Sequence, residues 1–207
     1  HVSFLYLSTA YTSSSNWEYK NSYEESKALA EIEIRKKYPK FNFCVFSFSL
    51  VIGSTTDGFI NHFSEGLYPL IKCMFIYDVP FLVGRKECKL DVVPLDWAIG
   101  ELKLAVDKLL INGYVEDIIA TAGDNRISIE NLVKIIFNNI NNYRRSFGLA
   151  EKPVPLIISY RRWLFLKRSK ETWNLEKKLP KEIKFLERLL ESYCFYIEND
   201  KVSKPQN

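Results

Sequence analysis

Apolar residues along the chain fall into short runs and helical spacings separated by turn residues. Phe4 to Leu7 is an apolar run ending at Ser8-Thr9, which predicts a strand whose C-terminal end carries hydroxyls. Thr12 to Asn16 reads as a polar turn. From Glu18 to Lys37 the spacing is helical, with Ala28, Leu29, Ile32 and Ile34 apolar, Lys36-Lys37 favouring the helix dipole, and Pro39 as the stop. Phe43 to Val51 predicts a buried strand, closed by Gly53 and the loop Ser54-Thr55-Thr56-Asp57-Gly58. A helix is expected over Phe59 to Phe75, then short strands over Pro80 to Val83 and Lys89 to Val93. Pro94-Leu95-Asp96 opens a helix to about Leu110, with Asp96 as its cap. Val115 to Thr121 is a strand; Gly123-Asp124-Asn125 turns into a helix capped by Ser128 and running to about Arg145. The tail from Ser159 is helical and basic, with a break at Pro180. Strands alternating with helices predict an α/β fold with a largely parallel sheet.

Composition adds little beyond exclusion. The chain of 207 residues is long enough for a proper core, and a net charge of +4 does not argue for nucleic acid. Cys44, Cys73, Cys88 and Cys194 show no ligand-like spacing and read as buried free thiols of a reducing, cytoplasmic compartment. His1 and His62 are too isolated for a metal site, so none is expected. No apolar stretch reaches the length of a membrane span.

Candidate chemistry lies near the start. Tyr23 and Lys27 stand at i and i+4 of the predicted helix, on one face, and Thr9 ends the preceding strand. A cation beside a phenol favours phenolate, so such a tyrosine can exchange a proton near neutral pH. By itself the pair is also an ordinary solvated helix surface, on which Glu31 at i+4 could pair with Lys27. Thr9 alone could equally be a hydroxyl capping local backbone.

Four stretches in register change that balance: Leu7-Ser8-Thr9-Ala10-Tyr11, Tyr23-Glu24-Glu25-Ser26-Lys27-Ala28-Leu29-Ala30-Glu31, Ser49-Leu50-Val51-Ile52-Gly53-Ser54 followed by Asp57-Gly58, and Asp91-Val92-Val93-Pro94-Leu95-Asp96. Over roughly residues 1 to 145 their order and spacing resemble the extended short-chain dehydrogenase/reductase superfamily. The branch they most resemble is the male-sterility-like one of fatty acyl-CoA reductases and thioester reductases. The resemblance implies the C-terminal part of a Rossmann-type doubly wound parallel sheet over 1–145, and a small, mostly helical, basic substrate-binding segment over 146–207. It implies an NAD(P)H-dependent oxidoreductase that reduces fatty acyl or carrier-bound thioesters to aldehyde or alcohol. NADPH is the cofactor it favours, with NADH left open, and the partner is an acyl-CoA or acyl-carrier-protein thioester.

By the same resemblance Thr9, Tyr23 and Lys27 are catalytic. Tyr23, Lys27, Ser49 and Leu50 contact the cofactor; Thr9, Ala10, Gly53 and Ser54 border the substrate. Tyr23 gives a proton to the developing oxyanion, Thr9 supplies a second donor, and Lys27 favours the phenolate and bonds the nicotinamide ribose. Two departures stand out. Ser47-Phe48 replaces an Arg-Pro that precedes the loop supporting the nicotinamide, and no glycine-rich pyrophosphate loop occurs anywhere. The chain therefore reads as a fragment, inactive alone, whose partial sheet should leave an apolar edge unpaired.

Related branches differ at the same positions. Dehydratases follow their Thr with Asp-Glu, where this chain has Ala10-Tyr11, and Tyr11-Thr12-Ser13 lacks the Val-Tyr-Gly of sugar epimerases. A hydroxyl dehydrogenase or epimerase of another small molecule stays as an alternative, as does a non-catalytic binding domain of the same fold. Ser8 should point to the opposite side of the strand from Thr9, Ser26 should pack closely against a neighbouring element, and Gly53 should permit a tight turn. The basic aromatic tail (Arg161-Arg162-Trp163, Lys167-Arg168, Lys177-Lys178) is expected to be a solvated helical face, with coenzyme A phosphates, an acidic carrier or a peripheral membrane contact as the sharper options.

Overall fold

The computed structural model describes residues 3–12, 22–60, 62–64 and 66–172, with side chains up to 168. The order of strands and helices is that of an α/β chain. Strand β1 (Ser3–Thr9) pairs in parallel with β2 (Asn42–Phe48), and β2 in parallel with β7 (Ile118–Ala120), giving the sheet order β1-β2-β7. Among the described residues β1 has β2 as its only neighbour, and Phe4 and Leu7 are exposed along it, so an apolar edge strand is present as expected.

The chain divides into two compact units that interleave along the sequence. One contains the described residues to 60 and 91–126, the other 62–90 and 127–172. The sequence expectation placed the boundary at 145/146; instead, residues 127–145 group with the later chain.

In the first unit, helix α1 (Ser22–Lys37) begins with Glu24 and Glu25 and ends with Arg35, Lys36 and Lys37, an order that opposes the dipole charge at both ends. The expected start at Glu18 lies outside the described residues. The expected strand from Phe43 to Val51 is two elements. β2 stops at Phe48, and β3 (Leu50–Ile52) leaves the main sheet to pair in parallel with β6 (Val92–Pro94). The break at Ser49 is held by two ladders, because the Ser49 N–H donates to the Ala120 carbonyl and the Leu50 N–H to the Asp91 carbonyl. Helix α3 (Leu95–Asn112) follows and ends at Gly113, whose φ of 69° closes the helix with an N–H donated to Leu109. Phe46, Ala105 and Ala120 form the buried centre, with Leu5, Phe48, Leu102 and Ile118 around them.

Asp96 does not cap α3: its N-cap is Pro94, with no side-chain cap bond. The carboxylate instead receives the Thr55 N–H at 3.1 Å and the Thr55 hydroxyl, clasping the Ser54–Gly58 loop to the helix start. Those two bonds hold the Asp96 carboxyl below the usual carboxylate range. The Gly53 carbonyl accepts the Leu95 N–H at 3.5 Å where the loop meets the helix start, and the left-handed glycine of this loop lies further on. That conformation falls at Gly58, with a φ of 68°.

In the second unit, the helix expected from Phe59 shrinks to α2 (Tyr68–Ile76), because Pro69 fits only its first turn and Gly66 before it has a φ of 58°. β4 (Phe81–Val83) pairs in parallel with β9 (Leu156–Ile158), and β5 (Lys89–Leu90) pairs antiparallel with β8 (Ile127–Ser128). The single strand expected over Lys89 to Val93 is thus split at Asp91 between two partners. Ser128 caps α4 (Ile129–Ser146) by accepting the Asn131 N–H at 3.3 Å, as its position predicted. Helix α5 (Tyr160–Thr172) buries Trp163 against Phe81, with ring centroids 5.6 Å apart, and leaves Arg161, Arg162 and Arg168 exposed. Lys177, Lys178 and Pro180 lie outside the described residues.

Cys44, Cys73 and Cys88 are buried free thiols; Cys194 lies outside the described residues. Burial, and then the nearby Asp117 carboxylate, push the Cys44 thiol up to about 11.

Two expected outcomes follow from this packing. Phe46 is wholly buried, so Phe46→Ala should cost about 3–5 kcal/mol, read from denaturant midpoints at unchanged slope. For Asp96, a folded-state value below the ordinary one makes the clasp present above the usual carboxylate range and lost as pH falls through the lowered value. The Thr55 amide proton shift should therefore hold steady down to about pH 4 and collapse below it. In Asp96→Ala it should sit at the collapsed position at every pH; a shift unaffected by that substitution would exclude the clasp.

Candidate functional site

The first unit gathers hydroxyls and carboxylates at the C-terminal ends of its parallel strands, where open α/β sheets bind their ligands. Thr9 ends β1, Ser49 follows β2, and Thr121 follows β7; all three are buried. Helix α1 covers one face of this region. The pleat sends alternate residues of β1 to that face, and two contacts identify them: Tyr6 meets the Lys27 ammonium, and the Ser8 hydroxyl donates to the Glu31 carboxylate.

Tyr23 and Lys27 share a face of α1. The Lys27 ammonium lies 5.9 Å from the centroid of the Tyr23 ring and 5.2 Å from that of Tyr6. It also donates to the Leu7 carbonyl at 3.1 Å, which fastens the helix to the last turns of β1. Tyr23 itself is 58% exposed, while Lys27 is half-buried.

Thr9 stands at the opposite strand parity from Tyr6 and Ser8. Its hydroxyl accepts the Tyr11 N–H at 3.4 Å, and its carbonyl accepts the Thr12 hydroxyl at 3.0 Å. The hydroxyl proton of Thr9 is not used in the bond to Tyr11 and can still be donated. Ala10 is fully buried and donates its N–H to the Phe48 carbonyl at 2.6 Å. It lies just past β1 and extends the ladder to β2 by that bond.

Ser49 is buried and its Oγ has no hydrogen-bond partner among the described residues; Leu50 is half-buried beside it. Gly53 and Ser54 stand at the base of the clasped loop, where the Ser54 and Thr56 hydroxyls meet at 2.7 Å. The expected close packing of Ser26 is absent. The residue is exposed and donates its hydroxyl to the Tyr23 carbonyl at 2.8 Å, a local helix bond. At the Ser47-Phe48 departure, Ser47 is buried with an unpartnered Oγ, while Phe48 packs on Phe46 at 4.7 Å.

The sequence reading missed several site residues. Glu24 is only 1% exposed although it lies in a helix with a polar surface. Tyr11 is deep beside it: its hydroxyl donates to the Asp91 carbonyl at 3.3 Å, and burial, then Asp91, then Glu24 push its ionisation well above the ordinary range. Asp91 accepts the Ala122 N–H at 2.8 Å on one oxygen, and its other oxygen is buried without a partner among the described residues. Tyr6 is likewise raised, first by burial and then by Glu31 and Tyr23. No period or spacing marks these groups. The one available signal was chemical, a carboxylate at the inward position next to Tyr23.

Among the described residues no cluster of His, Cys, Asp or Glu could hold a metal ion, and no helix is long and apolar enough to cross a membrane.

Residues 3–101 match the family described as male sterility protein, whose model is an NAD-binding one. No curated protein matches the chain. Among solved structures, a nucleoside-diphosphate-sugar epimerase from Pseudomonas aeruginosa superposes with a TM-score of 0.54 at 16% identity, over 79% of this chain and 53% of that one. A UDP-glucuronic acid 4-epimerase from Bacillus cereus, in complex with NAD, does so with a TM-score of 0.53 at 15% identity, over 76% and 50%. The chain thus spans about half the length of these structures. At such identity the likeness concerns the backbone alone, and with the parallel strand pairings above it makes the fold a Rossmann-type α/β fold.

Proposed function

We propose that the chain carries the catalytic helix and strand of a nicotinamide-dependent oxidoreductase of the extended short-chain type, acting on fatty acyl or carrier-bound thioesters. The observation that supports this best is the Lys27 ammonium held near the Tyr23 ring by a bond to the Leu7 carbonyl. The male-sterility-type match over residues 3–101 supports the thioester branch.

The residues fit a nicotinamide nucleotide chemically. An ammonium and a phenol suit the hydroxyls of a ribose, and the Ser49 Oγ, buried and without a partner among the described residues, is the kind of group a bound polar ligand would satisfy. Tyr23, Lys27, Ser49 and Leu50 would hold it. When bound in reduced form it supplies a hydride to the thioester carbonyl carbon.

The chain's own part is to manage the carbonyl oxygen. Tyr23 donates its proton there as negative charge develops, so charge is stabilised where it appears, while the second donor expected of Thr9 has to reach round the end of β1 from the face away from α1. Lys27 makes the phenolate left behind less costly. The hemithioacetal then collapses: its hydroxyl becomes the aldehyde carbonyl, the carbon–sulfur bond breaks, and the proton passes to the leaving thiolate. The thiol is that of coenzyme A or an acyl carrier, and the exposed Arg161, Arg162 and Arg168 of the second unit suit the acidic character of either.

A second reading, an epimerase or hydroxyl dehydrogenase of a small molecule, draws on the epimerase titles of the two superposed structures. Position 11 weighs against a dehydratase. Where that chemistry needs a carboxylic acid, Tyr11 is half-buried and its hydroxyl is bonded to the Asp91 carbonyl.

In the full-length protein, Tyr23→Phe should lower thioester-dependent nicotinamide oxidation by about 10²–10⁴-fold while the protein stays folded, since the ring is kept and one hydroxyl is lost. Lys27→Ala should lower kcat and weaken cofactor binding together. Activity on sugar nucleotides but not on any thioester would favour the second reading. A wild-type protein that binds no nicotinamide would leave only a non-catalytic binding domain.

A further inference from the structure

We infer that Tyr6 is a positioning residue for Lys27: its ring face and the neighbouring Leu7 carbonyl form a cradle that fixes the ammonium beside Tyr23. The inference rests on the Tyr23/Lys27 reading above but concerns a residue outside the three-residue set.

A lysine on a helix surface has four rotatable bonds and many rotamers, so an ammonium at i+4 from a tyrosine spends little time beside it unless something else holds it. Three contacts converge here. The Leu7 carbonyl takes one N–H at 3.1 Å. The Tyr6 ring lies 5.2 Å away and the Tyr23 ring 5.9 Å, both within the range in which a ring quadrupole attracts a cation. Of these, the backbone carbonyl cannot be varied by sequence and the Tyr23 ring belongs to the acting residue. Tyr6 is the adjustable support.

Its own placement is firm. Tyr6 sits within the β1–β2 ladder opposite Val45, and its ring lies 6.3 Å from that of Phe43, which stacks on Phe4 and receives the Arg35 guanidinium at 4.9 Å. A second tie between the same strand and helix, Ser8 to Glu31, limits sliding of α1 over β1. Among the described residues, the titratable groups shown against the Lys27 ammonium are Tyr6 from β1 and Tyr23 from α1; Glu24 and Glu31 stand at i−3 and i+4 from it on α1. The hydroxyl of Tyr6 has no part in the cradle; the ring does.

The ring and the hydroxyl are separable by substitution. In the full-length protein, Tyr6→Phe keeps the ring and should leave turnover within about twofold of wild type. Tyr6→Leu removes it and should lower turnover at neutral pH about tenfold, while moving the alkaline limb of the kcat profile up by roughly one pH unit, because phenolate at position 23 loses part of its counter-charge. A packing role alone would lower the melting temperature of Tyr6→Leu but leave the limb in place, and that result would overturn the inference. So would a Tyr6→Phe variant as impaired as Tyr6→Leu. The cradle also has a readout independent of turnover: with ¹³C-labelled lysine, the Lys27 ε-carbon should be ring-current shifted in wild type and Tyr6→Phe and should return to the solvent position in Tyr6→Leu. If Tyr23→Phe keeps full activity, the catalytic reading fails, and the Lys27 shift still decides whether Tyr6 holds the ammonium.

Discussion

The bond from the Lys27 ammonium to the Leu7 carbonyl is the point at which helix, strand and candidate chemistry meet. Without it α1 would rest on β1 through few apolar contacts, since the buried side chains of that helix are Glu24 and Ala28. Amphipathic helices ordinarily dock through an apolar stripe. This one docks through polar ties: Lys27 to Leu7, Glu31 to Ser8, and farther along Arg35 to Asp117. Charge-assisted bonds are directional, so they fix rotation and register more tightly than methyl contacts would. That suits a helix whose task is to aim side chains.

The same preference for polar contacts continues beneath the helix. Glu24 and Asp91 are buried carboxylates, Tyr11 lies near both, and Ser47, Ser49 and Asp91 each keep a buried oxygen without a partner among the described residues. An unsatisfied buried polar atom costs on the order of 1–3 kcal/mol. Among the described residues no other part of the chain carries such a load. The second unit closes over Met74, Phe137, Val133 and Trp163, and its buried cation Lys152 donates hydrogen bonds to the Tyr77 carbonyl at 2.7 Å and the Met74 carbonyl at 3.4 Å. Local rules are broken at the strand ends of the first unit, which is where a fold serving a ligand is expected to break them.

This also explains which features were legible in the sequence. Apolar period and turn chemistry revealed β1, α3, α4 and the Ser128 cap, because each of those depends on neighbours close in sequence. They revealed the shared face of Tyr23 and Lys27 for the same reason. They failed where a partner far along the chain decides. Ser49 ends a strand because Asp91 and Ala120 pull the backbone on its two sides into different ladders, and Lys89–Val93 divides for the corresponding reason. Asp96 had the position of a cap, but Thr55 takes its carboxylate. Asn141, which no local pattern marks, holds the backbone of Lys152 through bonds of 2.8 and 3.0 Å. Tyr6 and Glu24 were invisible because burial of a polar side chain depends on what packs on it, and no spacing encodes that.

Magnitudes decide how far the Tyr23/Lys27 geometry can act as it stands. Lys27 lies 5.9 Å from the Tyr23 ring centroid. Unit charges about 6 Å apart attract by ~0.7 kcal/mol in water and ~3 kcal/mol at the effective dielectric of a protein surface. Tyr23 is more than half exposed, so solvent screens the attraction. The coupling strengthens as water is removed from around Tyr23. A ligand lying over Tyr23 would raise the interaction toward the upper figure at the moment the proton is needed. The Leu7 and Tyr6 contacts keep the ammonium in place meanwhile, so that what changes on binding is the dielectric and not the geometry.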